Sequence, residues 1–402
     1  MIKNKVLLSA YACEPRKGSE PAVGWNWLLQ MQKHCDVWVI TRANNKTAIE
    51  SFKNEIKENV RFIFVDYSDT VLKIKKKLPV WFYYYLWQIK AFFIAKNIHK
   101  QINFDFAHHV TFMSARVNFV PFLKVKSIVG PVGGLELLPH NFTTLVNKKL
   151  KEYIRELAIY KLKYSPLWHL FLKRTNKLIL TNKQNLKFIP KKYHSKVYIT
   201  QIGVSEKQLP KQNGNSVCKI YWGGILARWK GLEILLRSLV KVDVDWELDI
   251  TGKGAELIYF KSLVKQLGLD SKVRFLGWIE KNEQERLLLN CNIFIFTSLR
   301  ETTGLVLLEA MSYGKPVVAL DWGGPSSIIN GSNGIKIPVN TVEQTVNSLA
   351  ENINKLANNT VLQKELGMGA YQSVKEKFCW DKKGEEMNQL YNQILNENTP
   401  RS

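Results

Sequence analysis

The stretch Asn292-Ile-Phe-Ile-Phe-Thr-Ser-Leu-Arg-Glu301-Thr-Thr-Gly304-Leu-Val-Leu-Leu-Glu309-Ala-Met-Ser-Tyr-Gly314 decides how the chain is read. Residues 292–297 are short and apolar, as a buried strand is, and Leu305 to Ser312 reads as a helix. Glu301 then falls in the loop between them. The N–H groups of Gly304 and Leu305 stand at the helix start, where they lack intrahelical acceptors and favour an anion. Glu309 lies one turn beyond Leu305 on the same face. At ~1.5 Å rise per residue, the two carboxylates are separated by roughly the length of a diphosphate and a sugar ring. A surface glutamate beside a turn is the ordinary reading of Glu301. Glu309 resists that reading, because it is set among Leu, Val, Ala and Met, where a carboxylate is half buried and needs a partner.

Working outward, the same strand-then-helix pattern recurs. Lys5–Ala12, Asp36–Thr41, Val60–Val65 and Phe104–Val110 read as strands in the first half, with helical patterns at Gly24–Lys33 and Lys46–Lys57. In the second half Ser216–Trp222, Trp246–Thr251, Val273–Leu276, Asn292–Thr297 and Pro316–Leu320 read as strands followed by helices. Such alternation predicts parallel sheets with helices on both faces, and two such halves predict two doubly wound domains with ligand loops at the carboxyl ends of the strands. The expected division is a first domain over 1–202, a linker over 203–215 and a second domain over 216–380. The polar, Pro- and Gly-broken run Gly203 to Asn215 marks the boundary. Tyr371 to Leu395 reads as one long helical pattern, and the C-terminal helix of 381–402 is expected to return to the first domain.

The 402 residues are 46% hydrophobic, enough for two cores, and hold no apolar run long enough to span a bilayer. The net charge of +24 is unevenly spread. Residues 1–200 contain 34 Lys/Arg against 12 Asp/Glu, a net +22, and the remainder is +2. A basic half points to an anionic partner. Lys73-Ile-Lys-Lys-Lys-Leu-Pro-Val-Trp-Phe-Tyr-Tyr-Tyr-Leu-Trp-Gln-Ile-Lys90 puts four lysines before six aromatics, and 148–174 is a second basic aromatic region. An anionic membrane surface suits both, and nucleic acid is the weaker expectation. An amphipathic core helix with a solvated basic face is the ordinary alternative. The cysteines Cys13, Cys35, Cys218, Cys291 and Cys379 are scattered, match no zinc spacing and suit a reducing cytosol. Residues 5–12 read as a core strand rather than a leader.

Several loops follow strands. In the first half these are Cys13 to Gly24, with Gly18, Ser19 and Glu20, and Gly130-Pro-Val-Gly-Gly-Leu-Glu136, with Gly133 and Gly134. Neither contains Gly-x-Gly-x-x-Gly, and simple turns would explain them equally. Asp105-Phe-Ala-His-His-Val-Thr111 ends a strand on two histidines, of which only one can face a given side. In the second half, Tyr221-Trp-Gly-Gly-Ile-Leu-Ala-Arg-Trp-Lys-Gly231 opens the backbone at Gly223 and Gly224 and offers Arg228 and Lys230 to a diphosphate. Gly252-Lys-Gly254, Phe275-Leu-Gly-Trp-Ile279 and Asp321-Trp-Gly-Gly-Pro325 complete the set, with Trp278 beside the place where a flat base would lie.

With these motifs in view the chain resembles the retaining glycosyltransferases of family 4. It does so through Glu301–Glu309 with Gly304, Lys230-Gly231, Gly252 and Gly254, Gly277-Trp278, Gly314-Lys-Pro-Val-Val318 and Phe378-Cys-Trp380. Glu14-Pro15, Gly18-Ser19-Glu20 and Gly130 to Gly134 are similar to a subset that makes surface polysaccharides. The resemblance implies the α/β GT-B fold, two Rossmann-like domains facing across a cleft. It also implies a nucleotide-sugar donor, a glycan or lipid-linked acceptor, and no metal or separate cofactor. Glu301 would contact the sugar hydroxyls and Glu309 the ribose. Lys230 and the amides of Gly304 and Leu305 would hold the diphosphate, with Arg228 as a substitute cation and Gly224 and Gly252 also at the donor site, and His109 or His108 would stand near the donor sugar. The acceptor would enter over the first domain, between the Gly18 loop and the histidines, and the enzyme would lie peripherally on the cytoplasmic face of the membrane. Three positions depart from the family pattern: Ile225 stands where Arg is usual, Thr303 where Phe is usual, and the histidines are adjacent. Asp243-Val-Asp245 matches a metal-binding pair of another transferase fold, but it precedes a strand and reads as a loop. A GT-B epimerase or phosphorylase, and a non-enzymatic basic binder, are the rival readings.

Overall fold

The computed structural model describes residues 3–68, 70–71, 79–146, 149–209 and 217–397. The lysine run at 73–77, Lys148, and residues 210–216 of the expected linker and strand lie outside the described residues. The chain divides into two compact units, one formed by 1–135, 158–203 and 380–402, the other by 136–157 and 204–379.

The first unit is built on β1 (Asn4–Ala10), α1 (Glu20–Met31), β2 (Cys35–Arg42), α2 (Lys46–Glu50), β3 (Val60–Val65), α3 (Val80–Ile102), β4 (Phe106–Thr111) and β5 (Lys126–Val132). After α4 (Lys149–Leu162), which begins in the second unit, come α5 (Pro166–Arg174), β6 (Lys177–Leu180) and β7 (Val197–Ile199). All ladders are parallel, in the order β3-β2-β1-β4-β5-β6-β7. The central strands are apolar along their length because helices cover both faces: Val6, Leu7, Leu8 and Ala10 of β1 are fully buried.

The second unit contains β8 (Cys218–Gly223), α6 (Leu232–Leu239), β9 (Trp246–Thr251), α7 (Leu257–Gln266), β10 (Val273–Gly277), α8 (Lys281–Asn290), β11 (Ile293–Phe296), α9 (Leu305–Ser312), β12 (Val317–Leu320), α10 (Gly323–Ile328), β13 (Ile335–Ile337), α11 (Val342–Ala357) and α12 (Thr360–Ser373). Its parallel order is β10-β9-β8-β11-β12-β13. In each sheet the order reverses beside the first strand, between β1 and β4 and between β8 and β11. Such switch points open a crevice at the carboxyl ends of the strands.

The structure corrects four readings of the sequence. Residues 136–157 belong to the second unit, because Leu138, Phe142 and Val146 pack into its core with Trp222, Leu226 and Leu320. Lys46–Lys57 is no continuous helix: α2 ends at Glu50 and a 3-10 turn follows at Lys53–Glu55. Gly130 to Val132 are the end of β5 rather than a loop. Tyr371–Leu395 is broken, since α12 ends at Ser373, a π turn covers Val374–Phe378, and Cys379 is extended before α13 (Trp380–Asn396). The break has a cause: Val204 pairs with Cys379 and donates its N–H to Phe378 O at 2.8 Å. From there α13 packs in the first unit. Gly203 lies against Trp380 so closely that a Cβ would meet the indole at 2.4 Å.

Candidate functional site

In the second unit the loops after β8 and β11 flank the switch point, and together they carry Arg228, Lys230 and Glu301 of the expected site. Lys230 Nζ donates to Glu301 Oε2 at 2.6 Å, across 71 residues of sequence. The Gly304 N–H, at the entry to α9, points at Glu301 Oε1 at 3.4 Å. Gly304 has φ 78, which suits a turn into the helix that a side chain would strain. The Glu301 carbonyl accepts from Gly324 N–H at 3.0 Å, so the start of α10, after β12, holds the Glu301 backbone from behind. Leu305 opens α9, and Glu309 lies one turn along it, half-buried. Its Oε2 accepts from Gln284 Nε2 at 3.3 Å. Burial pushes the Glu309 carboxyl up, against an opposing pull from Lys281.

Gly224 and Gly252 bring the ends of β8 and β9 into backbone contact: Gly252 has φ 126, and a Cβ there would sit 1.8 Å from Gly224 O. No other residue fits that approach. Trp278, after the β10 end, is 61% exposed and free to meet a planar ligand.

Arg228 is a correction. Expected on the diphosphate, it donates from Nε to Glu256 at 2.8 Å, lies 3.7 Å from Glu233 and stacks 3.2 Å above the Tyr259 ring. Its charge is committed to holding α6 and α7 together, and Lys230 is the cation that faces Glu301.

Sequence reasoning missed a second layer behind this contact. Arg300 donates to Glu152 at 2.7 Å and lies over the Trp229 ring at 4.7 Å. Arg300 and Trp229 immediately precede Glu301 and Lys230, so α4 braces both loops. Glu152 and Arg300 are 148 residues apart, and no local pattern announces the pair. Asp243 and Asp245, by contrast, lie at the amino end of β9, tied to Asn354 and Lys272.

In the first unit, the loops after β1 and β4 also flank a switch point. Glu20, the first residue of α1, accepts from Met113 N–H, and burial pushes its carboxyl up. Gly18 and Ser19 lead into that helix, Ser19 with φ 62. Gly133 O accepts from Ala115 N–H at 2.7 Å, and Gly134 follows with φ 83.

The histidines do not open onto this edge. Both are buried, and the alternation of β4 sends them to opposite faces. His108 Nε2 donates to Gly130 O at 2.9 Å, which leaves Nδ1 to accept from Tyr391 O–H at 2.8 Å. Tyr391 in turn accepts from Trp27 Nε1 at 3.3 Å. His109 lies between Ser9 Oγ at 2.9 Å and Tyr84 O–H at 3.3 Å. Desolvation lowers His108 to about 4 and His109 to about 3. Both are neutral pieces of the core, where one had been expected to face a ligand.

The basic aromatic stretches split by face. On α3, Tyr83, Tyr84 and Trp87 are core, while Trp81, Phe82, Ile89 and Phe93 point outward, Phe93 at 59% exposure. On α4 and just beyond it Tyr153, Ile154, Tyr160 and Tyr164 are exposed, and Trp168 of α5 is buried. Among the described residues no helix is long and apolar enough to cross a membrane.

Residues 211–373 match the family model Glycosyl transferases group 1. The chain is 31% identical over 175 residues to the uncharacterized glycosyltransferase MJ1607 of Methanocaldococcus jannaschii, a match covering 43% of this chain and 44% of that protein. Across the first two curated relatives the chain spans 44% and 57% of their length. Among solved structures, sucrose-phosphate synthase from Thermosynechococcus elongatus superposes with a TM-score of 0.66 at 18% identity, covering 98% of this chain and 99% of that one. Anabaena Alr3699/HepE in complex with UDP and glucose superposes with a TM-score of 0.63 at 15% identity, covering 97% and 100%. Residues 211–373 of the second unit are thus similar to glycosyl transferases group 1, and the chain as a whole has the GT-B fold, two Rossmann-like parallel-sheet domains.

Proposed function

We propose that the protein is a retaining glycosyltransferase that moves a sugar from a nucleoside diphosphate sugar to a glycan or lipid-linked acceptor, in the making of a bacterial surface polysaccharide. The contact of Lys230 with Glu301 at the second switch point carries this reading, because it brings a phosphate-binding cation to a helix N-terminus and a carboxylate. Lys230 and the Gly304 and Leu305 amides would hold the diphosphate, Glu309 the ribose hydroxyls and Glu301 the sugar hydroxyls. The loops with Gly224 and Gly252 would bound the phosphates, with Trp278 beside the base. The sugar C1–phosphate bond breaks as the acceptor oxygen bonds to C1 on the same face. The acceptor proton passes to the departing phosphate oxygen. Lys230 and the helix amides supply the positive charge that a metal supplies elsewhere. On the first unit, the loops with Gly18, Ser19, Glu20, Gly133 and Gly134 would receive the acceptor, Glu20 accepting from one of its hydroxyls. The outward face of α3 would rest on anionic lipid at the cytoplasmic side, with nucleic acid no partner.

The deciding experiment is a thermal shift with UDP, GDP, ADP and their common sugar conjugates. A ligand at ~100 times its Kd adds roughly 2.7 kcal/mol. One base should raise the melting temperature, and Glu309→Ala should remove the effect. If no nucleotide does so, the donor-site reading fails. Turnover of the nucleotide sugar without acceptor would favour an epimerase, and a requirement for phosphate would favour a phosphorylase.

A further inference from the structure

The two donors that the proposed function assigns to a diphosphate already have an anion. The Lys230 ammonium, at 2.6 Å, and the Gly304 N–H, at 3.4 Å, both address the carboxylate of Glu301. A carboxylate and a phosphate accept from the same groups by the same charge-assisted hydrogen bonds. They cannot both occupy one ammonium and one amide without like-charge repulsion. The backbone on each side is pinned: Glu301 O accepts from Gly324 N–H at 3.0 Å, and Lys230 O from Thr297 Oγ1 at 3.2 Å. What can move is the Glu301 side chain, which turns about its own bonds while the loop stays in place.

We propose that Glu301 is a specificity-determining residue that selects a sugar-bearing nucleotide over the bare nucleoside diphosphate, by competing with the diphosphate for Lys230 and Gly304. The inference rests on the donor-site reading of those two groups. With a nucleotide sugar the exchange is nearly balanced. The phosphates take the ammonium and the amide, and the sugar hydroxyls donate to the displaced carboxylate. With the bare diphosphate the carboxylate gives up both donors and finds only water. After transfer the sugar has gone, so the carboxylate returns to Lys230 and loosens the hold on the product nucleotide.

The test is calorimetric titration of the full chain, wild type and Glu301→Gln, with UDP, GDP and ADP and with the sugar conjugate of whichever base binds. Glutamine keeps the shape and removes the charge. The bare diphosphate should bind about tenfold or more tightly to Glu301→Gln, as expected when one charge-assisted competitor is removed. The conjugate should gain less, so the wild-type preference for it collapses. An unchanged or weakened affinity for the bare diphosphate in a variant of unaltered melting temperature overturns the proposal. Should Glu301→Gln misfold, Glu301→Ala takes its place. A structure with the tightest diphosphate bound is a second arm. Lys230 Nζ and the Glu301 carboxylate should then stand more than ~4 Å apart, beyond ion-pair range. A pair still closed beside a bound diphosphate overturns the inference even if the donor-site reading survives. If UDP, GDP and ADP bind to neither form, the donor-site reading itself falls and takes this inference with it.

Discussion

Arg228 and Lys230 are two residues apart in one turn, equally cationic, and the fold gives them different work. Arg228 closes a cluster of Glu256, Glu233 and the Tyr259 ring, while Lys230 meets Glu301. Arg228→Ala should therefore lower stability by ~1–3 kcal/mol, since it strands the buried Glu233 with Arg237 as its remaining cation. Nucleotide affinity should stay within about threefold. Lys230→Ala should show the opposite pattern, a small change in melting and a loss of ~10–100-fold in affinity for the preferred nucleoside diphosphate. Denaturant unfolding and titration on both variants decide it. Equal affinity losses would mean that Arg228 leaves its cluster to reach the phosphates. The histidines teach the same lesson. That His108 and His109 face opposite sides follows from the strand period alone. That Tyr391 and Gly130 wait on one side, and Tyr84 and Ser9 on the other, is a matter of packing.

At the scale of elements, α3 does two jobs with one aromatic run. Its inward residues Tyr83, Tyr84, Trp87 and Ala91 complete a core with Tyr11 and Trp38, while Trp81, Ile89 and Phe93 stay outside. Replacing those three outward residues with serine should leave the melting temperature unchanged and weaken binding to phosphatidylglycerol vesicles by ~10–100-fold, because the apolar area available to the interface is lost. Vesicle cosedimentation measures it. Undiminished binding would assign this face no part in membrane contact. Strands β1 to β4 and β8 to β12 were legible because their apolar runs are bounded by polar turns. Strand β5 was not, since Gly130-Pro131 near its end reads as a loop, and β13 is three residues whose middle one is Lys336. Helix α2 was overextended because the amphipathic pattern runs past Glu50 although the backbone turns at Ser51.

At the scale of the whole molecule, the end of the chain is a structural part of the unit that the beginning builds. Tyr391 packs on Phe106 with ring centroids 4.6 Å apart and accepts from Trp27, and Met387, Leu390 and Ile394 are buried beside it. A chain ending at Cys379 should lose the first unit's cooperative melting while the second unit still unfolds as a separate calorimetric transition. Two transitions unchanged by the truncation would show that α13 is dispensable. The sequence by itself determined the alternation of strands and helices, the loops at the carboxyl ends, and the glutamate pair with its glycine. Those follow from side-chain period, helix-end chemistry and turn residues, all properties of near neighbours. Only the tertiary structure decided the order of strands, and with it the switch point that sets Lys230 on Glu301. It also decided that residues 136–157 belong to the second core, that Arg228 is taken by Glu256, and that both histidines are enclosed. Each of these depends on partners distant in the chain, and the same local pattern would have suited other partners equally well.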